Sequence, residues 1–147
     1  MWRRSMCRAR LTIAAAESCT GGLIAAGLTA HPGASEYFLG GVVAYSREVK
    51  VNVLGVPEDV IDRYGMVSEE VALVMARGIC KLTGAEIGIA ATGLAGPDGD
   101  GSDIPVGTVC IALYNGSGTA QTHLFTGTRE QVRQAAAKKA LEMLNLY

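Results

Sequence analysis

A chain of 147 residues is long enough for one domain with a sizeable core, and its net charge of −1 leaves no basic field of the kind nucleic-acid-binding domains carry. No apolar run approaches the ~18–20 residues of a membrane span. The four cysteines, at positions 7, 19, 80 and 110, form no C-x-x-C pair and no zinc-ligand spacing, so reduced thiols in a cytoplasmic protein are expected.

In chain order, "MWRRSMCRAR" carries four arginines and no acid, and reads as a basic, solvated tail over residues 1–10 ahead of a domain over 11–147. "LTIAAA" (11–16) is a short buried strand, and "GGLIAAGLTA" (21–30) a helix closed by "HPG". "YFLGGVVAYS" (37–46) is a second strand whose glycine pair predicts a bulge or a close backbone approach. "REVKVNVLGV" fits a helix, although Val49, Val51 and Val53 also alternate as in a strand. Pro57, Glu58 and Asp59 open a short helix to Tyr64, and Ser68 caps a longer one in which Val71, Val74, Met75, Ile79 and Leu82 recur up to Gly84.

Strands follow at "EIGIAATG", "VGTVCIALY" and "AQTHLFTG". Thr128 with Gln131 makes a capping box for a last helix striped by Val132, Ala136, Ala140, Met143 and Leu144. Alternating strands and helices predict an α/β domain of three layers, α/β/α. The adjacent strands near 107–126 make its sheet mixed.

Few residues are available for chemistry. His31 lies in a turn and His123 in mid-strand, which supplies a Ser-His-Asp triad poorly. Asp98, Asp100 and Asp103 suggest a cation loop, but Asp103 and Val109 stand where an EF-hand needs glycine and glutamate, so a solvated turn and no metal site are expected. "GLIAAGLT" has P-loop glycine spacing with Leu28 in place of the lysine, and reads as helix.

A serine activated by a neutral lysine, with tyrosine as proton relay, is better supplied. It requires burial to lower the lysine pKa from ~10.4 to ~7–8. Ser18 lies where the first strand turns into a helix, so amides around Gly21 and Gly22 are expected to face a developing oxyanion. Tyr45 and Lys50 follow the second strand and would converge on the same sheet edge. The bland alternative makes Ser18 a helix N-cap, packs Tyr45 and leaves Lys50 in solvent. Cys19, beside Ser18, is a second candidate nucleophile without a nearby histidine partner.

From Thr12 to about Leu144 the sequence resembles the CinA C-terminal domain family of nicotinamide-nucleotide amidases. The resemblance rests on "AESCTGG" (16–22), "PGASEYFLGGVVAYS" (32–46), Lys50, "LGVP" (54–57), "YGMVSEEVA" (64–72), "ATGLAGPDG" (91–99), "PVGTV" (105–109) and "TGTREQVR" (126–133). It implies deamidation of nicotinamide mononucleotide to nicotinate mononucleotide and ammonia, in pyridine nucleotide salvage, by Ser18, Tyr45 and Lys50. No metal or organic cofactor is implied, and neither nucleic acid nor membrane is a partner; a homo-oligomer is.

The family's functional arginine near the last helix falls on Arg129, with Arg133 as the alternative. Glu17, Thr20, Gly21, Gly22, Thr92 and Gly93 join these two arginines as expected substrate-binding residues. The "TGLAGPDG" loop would offer backbone N–H groups to phosphate or ribose. The sequence departs from the family pattern in a short, arginine-rich start expected in place of a leading helix, in Arg47 where asparagine is usual, and in Ile104 where lysine is usual. Arg47, two residues from Tyr45, is expected to shift pKa values in the site. The larger N-terminal domain of full-length CinA proteins is not part of this sequence, and its activities are not carried over. The competing reading is a nucleotide-binding module of the same fold without turnover.

Overall fold

The computed structural model describes residues 2–146. Its elements are α1 (Trp2–Ala9), β1 (Ile13–Glu17), α2 (Leu23–Thr29), β2 (Phe38–Val43), α3 (Arg47–Asn52), α4 (Glu58–Tyr64), α5 (Glu69–Thr83), β3 (Ile87–Gly93), β4 (Thr108–Tyr114), β5 (Gly118–Leu124) and α6 (Arg129–Met143). The five strands form one sheet in the order β2-β1-β3-β4-β5. β1 pairs in parallel with β2 and with β3, while β3–β4 and β4–β5 are antiparallel, so the sheet is mixed. Among the described residues no helix is long and apolar enough to cross a membrane.

Helices cover both faces, which gives the three layers, and alternation along each strand makes the two faces chemically unequal. One presents Ile13, Ile87, Ile89, Ile111 and Leu113 to α2 and α6. The other presents Ala14, Ala16, Ala90 and Ala112 to α5, which answers with Ala72, Ala76 and the larger Met75 and Ile79. Small residues on this second face let the α5 backbone come close to the sheet. A Cβ at Gly88 of β3 would stand only 2.0 Å from the carbonyl oxygen of Ala76.

The local signals explain most boundaries. Ser68 accepts from the Val71 amide, Gly84 closes α5 in the left-handed conformation, and the Thr128–Gln131 capping box opens α6. The ambiguous stretch at 47–52 is helical because Ser46 caps it by accepting from the Val49 amide. The glycine pair of β2 has the predicted effect: the register with β1 slips between Ile13 and Ala14, leaving Leu39 as the extra residue.

The start of the chain corrects the sequence reading. Residues 2–9 are a helix and not a solvated tail, so the leading helix is present. Trp2 and Met6 are one turn apart. Met6 is fully buried, Trp2 meets the Tyr37 ring edge-on at 5.5 Å between centroids, and the Trp2 amide donates to Asn145 Oδ1 at 2.6 Å. Arginines at 3, 4 and 8 masked this two-residue apolar stripe.

The contact at Gly88 yields a stability test. Gly88→Ala must push the Ala76 carbonyl away, and should lower the unfolding free energy in urea by about 1–3 kcal/mol. Gly99→Ala, in the exposed loop, should change it by less than about 0.5 kcal/mol.

Candidate active site

The carboxyl ends of the three parallel strands converge on one cavity of about 180 Å³. Ser18 and Cys19 follow β1, Tyr45 and Lys50 follow β2, and Thr92 and Gly93 end β3; all six line it, with Arg129 from the start of α6. This is where open α/β sheets bind ligands.

At its centre is a buried amine beside a hydroxyl. Lys50 is 1 % exposed and Ser18 8 %. Lys50 Nζ donates to the Ala44 carbonyl oxygen at 2.7 Å and lies 3.1 Å from Ser18 Oγ. Burial lowers the Lys50 pKa to about 8. The opposite consequence befalls Cys19, whose thiol is pushed up to about 11, also by burial. Of the two adjacent candidates, the serine is the one hydrogen-bonded to Lys50. The bland reading is therefore corrected: Lys50 is not solvated, Tyr45 is exposed, and α2 has Gly22 as its N-cap residue.

The turn that presents Ser18 is held from two sides. The buried Glu17 carboxylate accepts from the amides of Gly22, Ile24 and Ala25 at 3.2, 2.8 and 3.0 Å, neutralising the start of α2. Arg133 donates from Nε to the Cys19 carbonyl at 3.1 Å and from Nη2 to the Thr20 carbonyl at 3.3 Å. Gly21 and Gly22 have φ of 58° and 105°, left-handed values that favour glycine and let the chain turn between these anchors.

This arrangement corrects several expectations. The Gly21 amide already donates to the Ser18 carbonyl and the Gly22 amide to Glu17, so neither is free for an oxyanion. Glu17, Thr20, Gly21, Gly22 and Arg133 do not line the cavity. They shape the turn behind it.

At the mouth, Arg129 donates to the Tyr45 hydroxyl at 2.8 Å and to the Gly96 carbonyl at 2.7 Å, tying α6 to both the segment after β2 and the glycine-rich loop. Among the described residues no hydrogen bond joins Tyr45 to Ser18 or Lys50, so the relay expected of Tyr45 is not preformed. Thr92 lines the cavity with its hydroxyl donated to the Met66 carbonyl at 2.8 Å. The loop also brings Asp98 and Asp100 to the cavity, an acidic contribution that its reading as an anion cradle overlooked.

Of the three departures, the two substitutions lie off the site. Arg47 pairs with Asp62 at 2.7 Å and approaches Glu58 at 3.9 Å, and desolvation, not Arg47, dominates the Lys50 shift. Ile104 packs against the apolar cluster under α5. Sequence reasoning also missed the Ala44 carbonyl that holds Lys50, since a backbone acceptor leaves no signature in residue types. Among the described residues no group of three or more His, Cys, Asp or Glu side chains is placed to hold a metal.

Comparison with known proteins follows the same outline. The family model for the CinA C-terminal domain matches residues 2–147. A CinA-like protein of Leptospira biflexa is 47% identical over 135 residues, covering 90% of this chain and 32% of that protein. A putative competence-damage inducible protein of Desulforudis audaxviator is 48% identical over 141 residues, covering 95% of this chain and 34% of that one. This chain thus spans about a third of the length of these relatives. The crystal structure of a competence-damaged protein (CinA) superfamily protein from Klebsiella pneumoniae superposes with a TM-score of 0.95 at 37% identity, covering 99% of this chain and 91% of that one.

The buried amine makes stability depend on pH in a definite direction. Below about pH 8 both folded and unfolded Lys50 are protonated and folding bears the full cost of burying the ammonium; between about 8 and 10.5 the unfolded chain binds more protons, so this cost fades. Urea unfolding of the wild type and Lys50→Met across pH 7–10.5 should show their difference shift in favour of the wild type by roughly 2–3 kcal/mol. A constant difference would contradict the lowered pKa.

Proposed function

This chain belongs to the CinA C-terminal domain family, and we propose that it is an amidohydrolase that deamidates nicotinamide mononucleotide to nicotinate mononucleotide and ammonia. The observation that carries this reading is the buried Lys50 Nζ at 3.1 Å from Ser18 Oγ. Its bond to Ala44 fixes the amine so that, in the neutral form, the lone pair turns to the serine O–H.

In the proposed sequence Lys50 takes the Ser18 proton as Oγ attacks the carboxamide carbon, and the resulting ammonium sits beside the developing oxyanion. Collapse returns that proton to the departing nitrogen, which leaves as ammonia. Water, deprotonated by Lys50, then attacks the Ser18 ester, and the proton returns to Oγ as the acid is released. Direct transfer between Ser18 and Lys50 suits the geometry; Tyr45, held by Arg129, belongs to the substrate's path. No metal or cofactor enters this scheme.

A cavity of about 180 Å³ is smaller than the ~300 Å³ at which sites begin to enclose whole drug-sized ligands. It suits the carboxamide end of the substrate, with the ribose phosphate lying across the mouth. Arg129 keeps guanidinium donors beyond the two it has placed, and a phosphate would face it and not Asp98 or Asp100. In this reading the chain works in pyridine nucleotide salvage in the cytoplasm, as a homo-oligomer, without nucleic acid or membrane partners.

Ammonia release from nicotinamide mononucleotide by the purified protein tests the activity. Ser18→Ala should reduce it by at least ~10³-fold, in line with loss of a nucleophile, while Cys19→Ala should keep it within a few fold. Turnover kept by Ser18→Ala and lost in Cys19→Ala would overturn the serine assignment, and none in the parent would favour the binding module. A second measurement concerns pH. kcat/KM should rise about tenfold per unit up to about pH 8 and level off above it, since the neutral amine is the active form. A flat profile down to pH 5 would count against Lys50 as the base.

A further inference from the structure

A groove of about 830 Å³ lies between α1, α2 and α6, and it shares no lining residue with the catalytic cavity. Its apolar lining comes from Trp2, Leu23, Ala137 and Leu141. Its charged rim is one-sided, with Arg3, Arg4 and Lys138 against the single carboxylate of Glu142. Among the described residues none of these cations has a carboxylate partner; the ion pairs present belong to Arg47 and Arg133.

An apolar lining favours an alkyl or aromatic body, and three cations without a carboxylate partner beside it favour an acidic head group on that body. The volume is within the ~300–1,000 Å³ of small-molecule sites. We propose that this groove is a second ligand site, which takes an amphipathic organic anion: an aromatic or alkyl body carrying one carboxylate, sulfonate or phosphate group. The proposal is independent of the amidase reading, because it uses none of the catalytic residues.

Trp2 is the protein's single tryptophan and lines the groove, so its emission reports occupancy locally. The probe is 1-anilinonaphthalene-8-sulfonate, which accepts energy from tryptophan, with uncharged N-phenyl-1-naphthylamine as its neutral counterpart. The expected result is saturable transfer from Trp2 at one probe per chain, with the neutral counterpart bound at least tenfold more weakly. Amide NMR shifts should concentrate at residues 2–4, 23–27 and 134–142.

The double variant Arg4→Glu/Lys138→Glu alters exposed side chains only, and should weaken the sulfonate at least tenfold while leaving the circular dichroism spectrum and the neutral probe's affinity unchanged. Ala26→Phe, at an exposed position on α2, should fill the groove and remove binding of both probes. Equal sulfonate affinity in the charge-reversed protein, or shifts spread beyond these helices, would overturn the proposal. So would light scattering that shows a dimer dissociated by the charge reversals, because a second copy of the chain would then be the occupant.

Discussion

The structure turns on an amine that water does not reach. Lys50 sits 1 % exposed with its nitrogen between the Ala44 carbonyl and Ser18. An ammonium so placed is poorly solvated and tends to lose its proton, which is the condition for accepting one from serine. That burial depends on α3, whose valines at 49 and 51 pack into the apolar cluster beneath α5. The small-residue face of the sheet, the close approach of α5 and the lowered pKa of Lys50 are thus one problem of packing.

A second constraint concerns the backbone at Ser18. A turn between a strand end and a helix start exposes carbonyls on one side and amides on the other, and here each set has an opposite charge. Glu17 answers the amides and Arg133 the carbonyls. Two groups expected to touch substrate instead hold the backbone of the turn that follows Ser18. The division between the arginines follows from helix pitch: Arg129 and Arg133 are one turn apart on α6, and the first reaches the mouth while the second reaches the back of the turn.

Much of the fold was legible because its signals are local. Serine caps, the Thr128–Gln131 box and strand runs of uniform apolarity each settle an element without reference to the rest. The N-terminal helix was not legible, since its apolar stripe is only Trp2 and Met6 and its stability comes from Tyr37 and Asn145, far along the chain. In the site, residue types pointed to Ser18, Tyr45 and Lys50, the family resemblance added Arg129 with Arg133 as the alternative, and Ser18, Tyr45, Lys50 and Arg129 share one cavity. They could not show that the Gly21 and Gly22 amides were already taken, because hydrogen-bond satisfaction is a property of the assembled turn.

The placement of Arg133 has a consequence for how the protein is made. β1, which presents Ser18, is the central partner of β2 and β3, and its following turn is braced by a side chain more than a hundred positions later, the contact to Cys19 spanning 114 residues. During synthesis the serine leaves the ribosome more than a hundred residues ahead of its brace. Over that interval the turn at Ser18 lacks its Arg133 contacts, and a truncation ahead of Arg133 would loosen a turn that lies more than a hundred residues upstream.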